Sequence, residues 1–224
     1  MARSTKPARG DRPLEPQVPA DVEVVRLDDV TTGEWDGVAL AGSLPADFDE
    51  PLILRQVRLE RATLLGARLR GSRFVDVTID GCDLSGADLG EASLTKVAVS
   101  DSRLAALQLP QSRLRDVRFF DCRLDDVNLA MTTGERVRFE RCRMERADLR
   151  SARLEGVAWW DCDLRSADFS QVQIERGQLQ GSALDDVHGA TALSSVTIDA
   201  EQFPSLAEHL LAVRGIVVRE RDQS

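Results

Sequence analysis

Every fifth residue from Leu54 to Leu184 keeps one register. Of 27 such positions, 26 are Leu, Ile, Val, Phe, Met or Trp, and only Gly134 departs. With that position called i, residue i−2 is Ala, Val, Ser, Cys, Thr or Gly at 25 of the 27, the exceptions being Leu52 and Leu107. A helix needs apolar positions about every 3.6 residues and a simple strand every 2.0, so a sustained five fits neither. It fits a short extended segment plus a corner, repeated. In extended backbone i−2 and i point to the same side, inward, while i−1, i+1 and i+2 face solvent or make the corner. Four such sides close a coil of 20 residues, and coils stack as parallel strands about 4.8 Å apart. The 27 units predict nearly seven coils, a rod about 30 Å long, right-handed as parallel crossovers almost always are.

Ala87-Asp88-Leu89, Ala147-Asp148-Leu149 and Ala167-Asp168-Phe169 match the A(D/N)Lxx consensus, and over residues 51–188 the chain resembles the pentapeptide-repeat family. That resemblance implies an all-β fold, a right-handed quadrilateral parallel β-helix, here with a C-terminal helical cap. The main departure is at i−1, where Arg stands at ten positions, Arg68, Arg103 and Arg153 among them.

Residues 20 apart become stacked neighbours. Leu64, Leu84, Leu104, Leu124, Met144, Leu164 and Leu184 then form one internal ladder, and Val99, Phe119, Phe139, Trp159 and Leu179 another. Cys82, Cys122, Cys142 and Cys162 all fall at i−2 on one side. They suit neither a CxxC zinc pattern nor a disulfide framework, and are expected to be reduced, buried and inert. Gly134 is expected to mark a bulge, with Met131 refilling the core between Leu114 and Leu154, or else a shallow groove.

The net charge of −9 is unevenly spread. Residues 51–190 carry 21 bases and 22 acids, whereas residues 21–50 carry one base and nine acids. The expected organisation is a proline-bearing disordered tail over 1–20, an acidic and irregular cap over 21–50, the repeats over 51–188, and a C-terminal cap over 189–224. In that last segment a short strand is expected at Ser195 to Ile198, then a helix stopped by Gly215, then a strand at Ile216 to Val218. The helix carries Leu206, Leu210 and Leu211, which suit either sealing the last coil or pairing two copies of the chain. Some family members use this end to form homodimers.

No apolar run is long enough for a membrane helix and none stands behind the basic start, so a cytoplasmic protein is expected. A filled rod with two histidines, His188 and His209, and no phosphate, nucleophile-elbow or metalloprotease motif is expected to be no enzyme, with no catalytic residue, cofactor or metal. Its function is then a surface. Arg103, Arg123 and Arg143 stack in one i−1 column. Arg118 and Arg138 stack on the preceding face, where Phe120 and Trp160 point outward. Arg118, Phe120, Arg123, Arg138, Arg143 and Trp160 form the candidate binding patch for a protein partner. The family resemblance offers an alternative, since some bacterial members linked to fluoroquinolone resistance mimic duplex DNA and occupy DNA gyrase. Direct nucleic-acid binding is disfavoured by a pI near 4.9.

Overall fold

The computed structural model describes residues 12–30 and 32–213; the expected strand at Ile216 to Val218 lies outside them. The fold is a right-handed parallel β-solenoid of about eight turns, with one short C-terminal helix. β1 is Glu23–Arg26, β2 Glu34–Asp36, β3 Val38–Ser43, β4 Ile53–Arg55 and β5 Arg58–Thr63. β6 (Arg73–Asp80), β7 (Ser93–Ser100), β8 (Arg113–Phe120) and β9 (Thr133–Glu140) each run through two sides of a coil and the corner between them. β10 (Arg153–Glu155), β11 (Ala158–Trp160), β12 (Gln173–Glu175) and β13 (Gly177–Gln178) continue those two sides. The other two sides pair through single bridges such as Arg103 with Arg123 and Gln108 with Asn128. From β6 to β9 each residue pairs with the one 20 further on, Phe74 with Leu94 and Val99 with Phe119 for example.

All 27 corners, at i+2 from Gln56 to Asp186, have positive φ, and 21 of them are not glycine, with φ between 48° and 60°. Left-handed backbone costs a residue with a side chain roughly 1–2 kcal/mol, and a β-branched one more. No corner holds Val, Ile or Thr. The stack offsets the cost, because a corner N–H donates to a carbonyl 19 residues on, as from Gln111 to Ala130 (3.0 Å) and Met131 to Arg150 (2.9 Å). Inside, the rings of Phe119 and Phe139 stack 4.9 Å apart and those of Phe139 and Trp159 6.1 Å apart. Phe169 meets Trp159 edge-on.

Gly134 makes no bulge. β9 runs through it in register with Leu114 and Leu154, and Met131 points outward, 53% exposed, because its backbone is the corner. Leu154 fills the place instead: a Cβ on residue 134 would lie 2.7 Å from its Cδ2 and 3.1 Å from the Val137 Cγ2.

The acidic segment over 21–50 is less irregular than its pattern suggests. β2 pairs with β4 and β3 with β5, Trp35 opposite Leu54 and Leu40 opposite Leu59, so this segment adds a further coil. Its offset is 19 rather than 20 residues, the register slips again between Leu40 and Gly42, and β1 sits only 15 residues from β3. These slips hide the coil from a search for period five. Residues 12–20 also differ from the disordered tail expected there. They lie along the rod, with the Leu14 N–H donating to Asp116 and the Gln17 N–H to Asp76.

At the C-terminus β14 (Val196–Thr197) pairs with β13, as expected of the strand at Ser195 to Ile198. A 3-10 turn over Ala200–Gln202 leads into α1 (Phe203–Val213). Gln202 seals the last coil: its Nε2 donates to the carbonyls of Leu179 (2.6 Å) and Ser182 (2.5 Å). Asp199 and Gln202 form a reciprocal capping box, which satisfies free N–H groups at the turn. No helix among the described residues is long and apolar enough to cross a membrane.

Candidate partner-binding surface

The β-helix puts the six patch residues on two adjoining walls. Arg118, Phe120, Arg138 and Trp160 stand on the wall behind the internal rings, the aromatic face, because i−1 and i+1 point away from the core residue between them. Arg123 and Arg143 stand around the next corner on the cysteine face, in an unbroken bridge ladder from Arg103 through Arg123 to Arg143. The patch is therefore folded over an edge. At that edge Arg141, which its spacing of 20 stacks on Asp121 but which stands outside the candidate patch, places its guanidinium 4.1 Å from the Phe120 ring centre while holding Asp121 through two hydrogen bonds. A signal for it exists: Arg141 is the corner residue one coil above Asp121.

Arg118 lies 5.1 Å from the Phe120 ring, and Arg138 lies 4.2 Å above that of Trp160. Trp160 in turn donates from Nε1 to Gln178 (3.1 Å) and so is fixed in place. The Arg138 Nε is buried with no hydrogen-bond partner. Burial lowers the pKa of that guanidinium from its ordinary value, with like charge on Arg118 and Arg12 adding to the effect. Arg143 is tied to Asp125 (2.9 Å) and Glu145 (3.3 Å). Arg103 and Arg123 make no ion pair among the described residues.

Most acids on the rod are already paired. Asp121 and Asp126 each take two hydrogen bonds from an arginine one coil up, Arg141 and Arg146. Asp116, only 3% exposed, is held by Arg136 Nε (2.6 Å) and Nη2 (2.9 Å) as well as by the Leu14 N–H (3.1 Å). Burial opposes its charge, but the Arg136 and Leu14 hydrogen bonds outweigh burial and hold its carboxyl below the usual value of 3.8.

The four cysteines are free and buried. Burial pushes the Cys82 thiol up to about 11. At Cys142 the contact with Cys122 lowers the pKa, yet the Cys162 contact and burial outweigh it and push the group up to about 12. Such thiols hold almost no thiolate at neutral pH and make poor nucleophiles or ligands. Over Gly134 the outer wall carries an open groove of about 520 Å³, flanked by the column of Arg113, Thr133 and Arg153 on one hand and that of Arg115, Glu135, Glu155 and Glu175 on the other. Of the helix residues, Leu206 is buried against the last coil, Leu210 is 42% exposed and Leu211 lies between.

A stack of four-sided coils with a filled interior and a patterned wall defines a β-solenoid scaffold. The model of pentapeptide repeats in eight copies matches residues 53–90, and that of the pentapeptide repeat region matches residues 112–188, together about half of the chain. This chain belongs to the pentapeptide-repeat family. The unmatched stretch between them includes Leu107, one of the two large residues at i−2, yet it makes the same coil. Among solved structures, full-length QnrB1, a plasmid-mediated fluoroquinolone resistance protein, is 17% identical, with 80% of this chain and 99% of that one covered and a TM-score of 0.30. HetL, a pentapeptide repeat protein involved in heterocyst differentiation regulation from Nostoc sp. strain PCC 7120, is 18% identical, with 73% and 86% covered and a TM-score of 0.28. Rfr23 from the cyanobacterium Cyanothece 51142 is 17% identical, with 64% and 88% covered and a TM-score of 0.23. No curated protein matches the chain.

Proposed function

We propose that this chain is a non-catalytic interaction rod of the cytoplasm that docks an acidic protein surface on its arginine and aromatic walls, with no cofactor. The observation that supports this most is the pair of Arg138 and Trp160. A guanidinium held 4.2 Å from an indole ring centre and only partly buried is a fixed positive charge whose accessible N–H groups can donate to a carboxylate. Arg118, Arg123 and Arg143 surround it with the same charge, and Phe120 and Trp160 supply rigid apolar area.

Trp160→Ala is expected to weaken affinity for a purified partner by about tenfold or more while the thermal melt is unchanged, since Phe119, Phe139 and Trp159 stay stacked inside. Equal affinity in calorimetric titrations of the two proteins would remove this wall from consideration. The alternative, DNA-mimicking modulation of DNA gyrase, requires columns of free acid, and here Asp116, Asp121 and Asp126 face Arg136, Arg141 and Arg146. The double change Arg123→Glu and Arg143→Glu separates the two readings. It weakens docking of an acidic partner, whereas a DNA mimic so altered inhibits gyrase supercoiling more strongly.

The exposed flank of the apolar face of α1, beside buried Leu206, is proposed to meet a second copy of the chain. Leu206 is used in sealing the coil, which leaves Phe203, 64% exposed, and Leu210 for that contact. Leu210→Glu is expected to halve the mass measured by sedimentation and to spare the melt. An unchanged mass would assign the helix to capping alone.

A further inference from the structure

We propose that the edge between the Gly134 wall and the aromatic wall is a recognition track for polyproline-II segments, and that residues 12–20 are its resident ligand. Two repeats match. A polyproline-II chain has three residues per turn and rises about 9.3 Å per turn. Coils about 4.8 Å apart place alternate corners of one edge about 9.6 Å apart. Pro13, Pro16 and Pro19 impose a period of three on the segment, and its contacts with the rod follow that period. The Leu14 N–H reaches the corner residue Asp116 (3.1 Å), the Gln17 N–H reaches Asp76 (3.0 Å), and the Ala20 carbonyl accepts from Arg58 Nη2 (2.9 Å). Asp116 and Asp76 are two coils apart on the same edge, with Lys96 at the corner between them. Between Leu14 and Gln17, three residues of ligand thus advance as far as two coils of rod, while Arg58, one coil beyond Asp76 on the aromatic wall, reaches Ala20 with its long side chain.

The chemistry of the ligand follows. Proline has no N–H, so each donor contact needs a proline followed by a residue that has one, as in Pro13-Leu14 and Pro16-Gln17. An acidic residue after the first such pair is favoured as well, because Glu15 meets Arg118 at 3.4 Å. The partner this edge fits is a proline-rich segment with prolines three apart, each followed by a residue other than proline. Because residues 12–20 are tethered to the rod, they act at an effective concentration on the order of millimolar, and an outside segment has to compete with them. A few backbone hydrogen bonds and one exposed ion pair make a weak latch, which suits exchange.

The test uses the full chain. In the wild type, the amide hydrogens of Leu14 and Gln17 should exchange at least about tenfold more slowly than in an unstructured chain. The full-length double variant Leu14→Pro and Gln17→Pro keeps the extended conformation and removes both donors, so its edge is vacated. It should bind a synthetic peptide of residues 12–20 at least about tenfold more tightly than the wild type does. Adding Asp76→Ala to that variant should abolish the gain, without touching the core. Exchange at unstructured rates, failure of the double variant to bind the peptide, or peptide binding indifferent to Asp76→Ala would each overturn the proposal.

Discussion

Leu124→Asp is expected to leave no cooperatively folding protein. Leu124 is fully buried in the ladder between Leu104 and Met144, and the coil above and the coil below close it off from water. An aspartate there has no arginine within the core and no solvent, and burying an unpaired charge costs several kcal/mol even after relaxation. Loss of the leucine packing adds about 2–5 kcal/mol. The sum is comparable with the whole stability of a typical domain, about 5–15 kcal/mol. Circular dichroism during a thermal scan checks this: a soluble variant with a sharp transition would contradict the filled core. Leu149→Arg, at a site 1% exposed on another wall of the coil, should fail in the same way.

The second large effect is expected at Asp116. Asp116→Ala removes the partner of Arg136, whose side chain is 19% exposed, and leaves its guanidinium with Glu135 alone. Breaking a buried ion pair from one side typically costs about 3–5 kcal/mol, and part of that is recovered here because Arg136 retains some access to water. A loss of about 2–4 kcal/mol in urea unfolding is expected on that basis. The pH dependence carries a sign. The folded carboxyl titrates below its ordinary value of 3.8, so its contribution is complete above that value and is lost as pH falls through the lower, folded one. Arg136→Met takes away the hydrogen bonds that hold the charge and leaves the burial that opposes it. The acid limb of the melting curve should then move to higher pH. A limb that stays in place would show that Arg136 does not govern Asp116.

The inside of the rod is readable from the sequence and much of its outside is not, for one physical reason. Leu54 to Leu184 face a shared, narrow interior that accepts one large and one small side chain per wall, so the constraint repeats in every unit and survives as a period. The corners repeat as well, but their constraint is on φ. Asp, Arg, Gln, Ser, Met and Gly all meet it, and the residue types give little sign of it beyond the missing β-branched ones. The coil over residues 34–48 escapes the pattern because one residue fewer per turn breaks the count without breaking the pairing. Gly134 misleads because the space it leaves is filled mainly by Leu154, which reaches into it from the coil above, with Val137 closing it from the same coil. At the surface, Arg118, Phe120, Arg138 and Trp160 come together by arithmetic alone. The pairing of Arg141 with Asp121 follows from the same arithmetic, but its contact with Phe120 does not, because it acts around a corner, and Glu15 arrives from a segment that shares none of the register.

A wall divided into steps of one coil makes length a digital property. Adding or deleting 20 residues restores every column, so the distance between two features on one edge changes only in jumps of about 4.8 Å. Loss of a single coil between Asp76 and Asp116 would move them one full jump closer, and three residues of ligand would overshoot. Removing residues 157–176 instead, beyond both contacts, would shorten the rod by the same jump and leave their spacing as it is. Duplication and deletion along such a gene would therefore act as a gear change on whatever is read along the edge, altering which ligand period meshes while leaving the interior indifferent.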